Sequence, residues 1–322
     1  MTTRAPALPL LAFALAACAV DPDPEPLTRG ASPVLNGAPD STHRGVVAVV
    51  NLVELCSGFV IAPDLVLTAR HCVSDLVNPT SPCVDPNGGP VVSPGAPFAP
   101  SVFQVFPGDT ASGAHVGAVE VLVPSDATTF CGNDVAILRV ATPFDPSIVI
   151  TPRLDTPPAP GEPASAVGYG TSVPSPGDTS GTRRSRDGLT VAKLGPELPR
   201  FVDGEWTISE GPCAGDSGSP ALDANGLAIG VMSRGTKATC VAMIYERVDT
   251  HATWIRDAAR ASYQRAGLAV PTWIDPAMGA GGAGGGAGGS GGAAPTAPAP
   301  KSDGGGCAIG AAGEVGGQSA LA

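Results

Sequence analysis

The sequence predicts an all-β protein, two packed six-stranded antiparallel β-barrels followed by a C-terminal α-helix. Three observations predict it. The 322 residues include 43 glycines and 35 prolines, far too many for a helical protein and well suited to short strands joined by turns. Apolar, often β-branched runs recur between those turns, as antiparallel strands require. The runs also fall into two similar sets of about six, divided by a Pro-rich connection at 152–163. Hydrophobic residues make up 43% of the chain but aromatics only 4%, so the core must be built from Val, Ala, Leu and Ile.

In chain order, the first set of strands is expected at 46–52, 55–61, 64–69, 102–106, 116–123 and 135–140. The stretch 78–100, punctuated by Asn-Pro, Asp-Pro-Asn-Gly-Gly-Pro and Ser-Pro-Gly, reads as loop. The second set is expected at 164–168, 189–194, 205–209, 220–222, 227–233 and 240–247. The helix comes last, at 250–260, where Thr250 can cap a run in which Trp254, Ile255, Ala258 and Ala259 share a face.

The ends read differently from the middle. Residues 1–17 carry Arg4 and then an apolar run too short to span a membrane, which reads as a signal peptide. Its end, Leu15-Ala16-Ala17-Cys18, resembles the lipobox of bacterial lipoproteins, which implies cleavage before Cys18 and a lipidated N-terminus; the other reading is an ordinary secretory signal. Residues 18–33 are acidic and Pro-rich, a tether or propeptide. A folded domain is expected over 34–262 and a Gly/Ala/Pro-rich disordered tail over 263–322, with Cys307 in the tail. Both readings of the first segment predict export, as a cell-envelope lipoprotein or a secreted protein, with any membrane contact made through the lipid.

Export sets the cysteine chemistry. Cys56, Cys72, Cys83, Cys131, Cys213 and Cys240 form an even set in the domain and are expected as disulfides. Metal binding is not expected, because neither Cys-x-x-Cys nor His-x-x-x-His spacing occurs. A net charge of −11 and the lack of any basic run exclude a nucleic-acid partner.

The chemistry is concentrated in Gly211-Pro-Cys-Ala-Gly-Asp-Ser-Gly-Ser-Pro220. Ser217 stands between an aspartate and a glycine, as a nucleophile on a tight turn does. Gly215 and Gly218 permit backbone angles at which the N–H groups of Gly215 and Ser217 can converge on an oxyanion. Upstream, Leu67-Thr-Ala-Arg-His-Cys72 ends the third strand, and a bridge from Cys56 to Cys72 across the hairpin would pin His71 to its barrel. Such a bridge contributes about 3 kcal/mol in the chain-entropy model. Asp134 precedes the sixth strand in Cys131-Gly-Asn-Asp-Val-Ala-Ile-Leu138. A hydroxyl needs a base, and an imidazole base needs a carboxylate to fix its tautomer and support its charge.

These three motifs, Thr68-Ala-Arg-His-Cys72, Asn133-Asp-Val-Ala-Ile-Leu138 and Gly215-Asp-Ser-Gly-Ser-Pro220, in the order His, Asp, Ser, resemble those of the trypsin/chymotrypsin-type serine proteases over about residues 34–258. The resemblance implies a serine endopeptidase acting through an acyl-enzyme without cofactor or metal. His71 would be the base, Asp134 its orienter and Ser217 the nucleophile, with Gly215 and Ser217 donating to the oxyanion. It pairs Cys213 with Cys240, which leaves Cys83 and Cys131 to each other. It gives Ser233 a hydrogen bond to Asp134 and Gly235 a backbone pairing with an extended substrate.

The family's pattern is also departed from. Gly211 lies where trypsins place the aspartate that selects Lys or Arg, and Met243 stands about where a glycine often keeps the pocket open. A shallow apolar pocket for small or medium side chains is therefore expected. Arg234 replaces a common aromatic and would favour an acidic substrate residue. Val34-Leu-Asn-Gly37 resembles the start of the mature enzymes, whose freed amine pairs with the aspartate before the nucleophile, here Asp216. Pro33 rules out trypsin-like self-cleavage there, so either an activating protease cuts or Asp216 has another partner. The alternative to a protease of protein or peptide substrates is a catalytically silent homologue that serves as a surface binding module.

Overall fold

The computed structural model describes residues 33–275 apart from 53, 126, 172–179 and 236–239. The leader, Cys18, the tether up to residue 32, Cys307 and the tail beyond 275 lie outside the described residues.

Twelve strands build the fold. The first six are β1 (Val46–Val50), β2 (Leu55–Ala62), β3 (Leu65–Thr68), β4 (Gln104–Phe106), β5 (Val116–Leu122) and β6 (Ala136–Val140). They close into an antiparallel barrel in the order β1-β2-β3-β6-β5-β4. The second six are β7 (Pro163–Gly168), β8 (Arg184–Leu194), β9 (Glu205–Ile208), β10 (Pro220–Leu222), β11 (Ala228–Arg234) and β12 (Ile244–Arg247). Their order is β8-β7-β10-β11-β12-β9, and the pairing of β9 with β8 closes the ring. Counted from its own first strand, the second barrel repeats the strand order of the first. All twelve strands overlap the apolar runs expected for them, but the last, expected over 240–247, starts only at Ile244, because positive φ at Cys240 and Ala242 breaks the extended backbone before it.

The strands alternate or run apolar because each barrel must fill its interior without water. Val46, Phe59, Leu67 and Ile137 lie opposite one another on one face of the first barrel's strands, Val66 and Leu138 on the other, and both faces are buried. Ala166, Val191, Trp206, Ile208, Ile229, Met232 and Tyr245 fill the second, with Trp206 and Tyr245 stacked at 4.8 Å between ring centroids. The second barrel's aromatic pair is Trp206 and Tyr245, whereas the phenylalanines Phe59, Phe103 and Phe106 pack with the first.

Several expectations change in detail. The loop 78–100 contains Ser93–Pro97, which pairs with Ser74–Val77 in a small separate sheet. The backbone can pair there despite the prolines because no further strand demands their missing N–H groups. β8 begins five residues before the apolar run, its polar start held by backbone pairing with β7 and with Ala38–Pro39. Thr250 does not cap the helix. It lies in a 3₁₀ turn, Asp249–His251, with its hydroxyl donated to the Arg247 carbonyl, and helix α1 (Ala252–Arg265) follows. The fold also continues past residue 262. Ser262 and Arg265 bind Asp64 of the first barrel, Arg260 binds Asp275, and Ile274 is buried. Among the described residues no helix is long and apolar enough to cross a membrane.

The barrels are stitched by a buried cation. Arg183 is 1% exposed and donates to the carbonyls of Asp40 and Val46, the Tyr169 hydroxyl and the Asp109 carboxylate. Val46 belongs to β1 of the first barrel, while Tyr169 follows β7 of the second. Arg183→Met removes the cation from the buried Asp40 carboxylate and a donor from the Asp40 and Val46 carbonyls, while exposed Asp109 turns to water, and is expected to cost about 3 kcal/mol. Urea unfolding measures it, and a loss below about 1 kcal/mol would contradict the assignment.

Candidate active site

The first half of the site is a consequence of strand register. β3 and β6 run antiparallel with Thr68 opposite Ala136. Two steps further, the residues after Thr68 meet the residues before Ala136, so the 3₁₀ turn Arg70–Cys72 faces Asp134. The Cys56–Cys72 disulfide ties that turn back to β2. Asp134 is fully buried and accepts three hydrogen bonds: the His71 N–H at 2.9 Å, the His71 Nδ1–H at 2.8 Å and the Ser233 hydroxyl at 2.6 Å. A carboxylate at Nδ1 fixes that nitrogen as the donor and leaves Nε2 as the basic atom. Burial alone would push Asp134 up. The charge of His71 and the hydrogen bonds from His71 and Ser233 outweigh it and hold the carboxyl below its ordinary value.

The second half is the turn between Cys213 and β10. Its residues are stitched to β2 by Ser57, whose N–H donates to the Ser217 carbonyl at 2.7 Å and whose hydroxyl donates to the Gly215 carbonyl at 3.0 Å. Gly218, at φ 85°, sits so close to the Ser57 carbonyl and the Thr68 hydroxyl that any Cβ would overlap both. The Ser217 carbonyl also meets the Cys72 sulfur at 3.7 Å, so the turn bearing Ser217 lies against the turn bearing His71. Among the described residues the N–H groups of Gly215 and Ser217 have no protein acceptor. Gly215 reaches its conformation at φ 93°.

A histidine fixed by a buried carboxylate thus stands on one turn and Ser217 on another that lies against it, between two like-ordered barrels. The family described as a trypsin-like peptidase domain matches residues 56–231, more than half of the chain. The chain belongs to this family. It is therefore a serine-type endopeptidase by membership. It is 26% identical over 244 residues to brachyurin of Leptuca pugilator, a match that takes in 69% of this chain and 95% of that protein. In fold it is similar to neuropsin, a serine protease expressed in the limbic system of mouse brain, with a TM-score of 0.53 and 16% identity, covering 70% of this chain and 99% of that one.

In this trypsin-like peptidase the six domain cysteines form the three expected disulfides, Cys56–Cys72, Cys83–Cys131 and Cys213–Cys240. Where cysteine sulfurs gather near His71 or Glu205 they are bridged, and so offer no thiolate to a metal. Gly211 is buried with Leu189 and Val34 packed over it. Met243 is 1% exposed and lies across Gly235, where a Cβ would overlap its sulfur. Val34 belongs to a single helical turn, Pro33–Asn36, and is buried in the second barrel's core.

The sequence did not reveal Ser57, Glu205, Glu246 or the true use of Arg234. The Arg234 guanidinium is held by Glu205 at 2.5 Å and 3.0 Å, so its charge is neutralised inside the protein rather than offered to an acidic substrate residue. A signal was present. Glu205 and Glu246 are acids next to Trp206 and Tyr245 in short barrel strands, and a carboxylate buried in such a place needs a cation or a proton.

Asp216 is fully buried and accepts from the N–H groups of Gly170 and Cys213, each at 2.8 Å. Burial pushes its carboxyl up from an ordinary 3.8 to about 7, although both N–H groups pull the other way. Because the folded value lies above the unfolded one, the bound proton stabilises the fold fully below about pH 4, and that contribution is lost as the pH climbs to about 7. Between pH 4 and 7.5 the uncut chain should lose roughly 4 kcal/mol relative to Asp216→Asn. Urea unfolding at both pH values checks this, and a pH-independent difference contradicts it.

Proposed function

We propose that the chain hydrolyses peptide bonds through Ser217, with His71 as general base and then acid, Asp134 as its orienter, and the Gly215 and Ser217 N–H groups as donors to the oxyanion. The observation that carries the reading is the Asp134 carboxylate held by three donors, two of them from His71. In this scheme Ser217 Oγ attacks the substrate carbonyl carbon while its proton passes to His71 Nε2. The carbonyl oxygen takes the negative charge and the two N–H groups stabilise it. The intermediate then collapses, the amine leaves with the proton from Nε2, and an acyl-enzyme remains. Water repeats the sequence in reverse roles, its proton going to Nε2, and frees the acid and Ser217.

Specificity follows from the floor and wall of the pocket. With Gly211 at the base no carboxylate awaits a Lys or Arg side chain, and Met243 lying across Gly235 shortens the cavity. Small or medium apolar residues before the scissile bond suit such a site. The unpaired proton on Asp216 supports a zymogen switch. Cleavage after Pro33 would free the Val34 amine, and an ion pair with Asp216 would replace the proton and hold the Gly215–Ser217 amides in place. Pro33 assigns that cut to another protease. The three disulfides support an oxidising, exported setting, and lipidation at Cys18 remains part of this proposal.

Two measurements test the reading. The chain starting at Val34 should cleave peptides bearing Ala, Val or Leu before the scissile bond at least tenfold better in kcat/KM than those bearing Lys or Arg; the reverse preference would refute the pocket. Ser217→Ala should lower kcat by roughly four or more orders of magnitude. Cleavage by Ser217→Ala at the wild-type rate would refute the nucleophile, and no cleavage by either form with all disulfides intact would favour the silent binding module.

A further inference from the structure

Behind Asp134 lies a charge cluster that the scheme above does not use. Glu205 of β9 and Glu246 of β12 are directly opposite in the antiparallel register, and both are fully buried. Both accept from one donor, the Gly132 N–H, at 3.1 Å each, so the two carboxyl groups face one another. Two carboxylates in a site without water cannot both ionise. Burial and the nearby charge of Glu205 push Glu246 well above the ordinary carboxyl value, so Glu246 is the carboxyl that holds a proton.

Arg234 takes the Glu205 charge as a two-pronged ion pair, Nη1 to Oε1 at 2.5 Å and Nη2 to Oε2 at 3.0 Å. The same Nη1 donates at 3.3 Å to the Ser233 hydroxyl, which donates in turn to Asp134 at 2.6 Å. One hydroxyl therefore separates the guanidinium from the carboxylate that orients His71. On its other face Arg234 lies 5.7 Å from the Phe130 ring centroid, and Phe130 meets His71 edge-on at 6.1 Å. Gly132, the residue both carboxyls hold, is two positions before Asp134 on the same loop.

We infer that Glu205, Glu246 and Arg234 form a positioning unit for the His71–Asp134 pair: the two carboxyls fix the loop that carries Asp134, and the guanidinium sets how firmly His71 binds its proton. The inference rests on the reading of His71 as the base. The charged groups facing this pair come from every element around it: Arg70 from the turn after β3, Asp134 from the loop before β6, Arg234 from β11, Glu205 from β9 and Glu246 from β12. A cation near Asp134 opposes the imidazolium, so its loss should let His71 keep its proton to higher pH.

The test is an NMR titration of the His71 ring in the full chain, which holds only four histidines. It is readable whether or not the chain cleaves anything, so it stands apart from the test of the proposed function. The decisive comparison is Glu205→Gln/Glu246→Gln against the triple variant that adds Arg234→Gln. The two differ by the cation alone, and the triple variant buries no charge of the cluster and so does not depend on it to fold. With the cation gone, His71 should titrate about one pH unit higher in the triple variant, roughly a tenfold change in proton affinity. Arg234→Lys should titrate as wild type does. Coincident titrations of the double and triple variants, with the three disulfides intact, would overturn the inference, as would a lower midpoint in the triple variant.

Discussion

One buried carboxylate organises this molecule. Asp134 has no access to water, and a charge in such a place is tolerated only where donors replace its hydration. Its donors come from both barrels: His71 from the turn that ends β3, Ser233 from the end of β11. The seam between the barrels is therefore fixed where the proposed base stands, and the geometry of His71 is set by the closure of two sheets rather than by a mobile loop.

Around that seam the same problem recurs with different solutions. Arg183 is fully enclosed and distributes its charge over carbonyls, a phenol and two carboxylates. Among the described residues Asp216 is met by the backbone N–H groups of Gly170 and Cys213, and burial lets its carboxyl hold a proton up to about pH 7. Glu205 and Glu246 resolve their conflict by sharing one cation and one proton. A core poor in aromatics and rich in Val and Ala packs the barrels, while these few charges decide how the barrels meet.

The sequence was legible wherever a local pattern carries the physics. Strand runs such as Val46-Val-Ala-Val-Val50 and Ala136-Ile-Leu-Arg-Val140 announce themselves because each must fill a barrel. The facing of His71 and Asp134 was legible because the turns that carry them close two paired strands of one barrel. Illegible features depend on distant partners. The start of β8 at Arg184 is held by backbone pairing with β7 and Ala38–Pro39 and by the ion pair of Arg186 with Glu210, and the pairing of Arg234 with Glu205 spans 29 positions that no local pattern connects. The packing of residues 263–275 likewise rests on Asp64, almost two hundred positions away. Composition alone consigned that segment to the tail.

The central claim is that Ser217 is a nucleophile activated by His71 held on Asp134. Reaction of the chain beginning at Val34 with a fluorophosphonate probe, followed by mass mapping of the adduct, tests it most directly. The account predicts one adduct per chain, on Ser217, lost in Ser217→Ala and in His71→Ala. An adduct on another residue, or none while all three disulfides are intact, would contradict it.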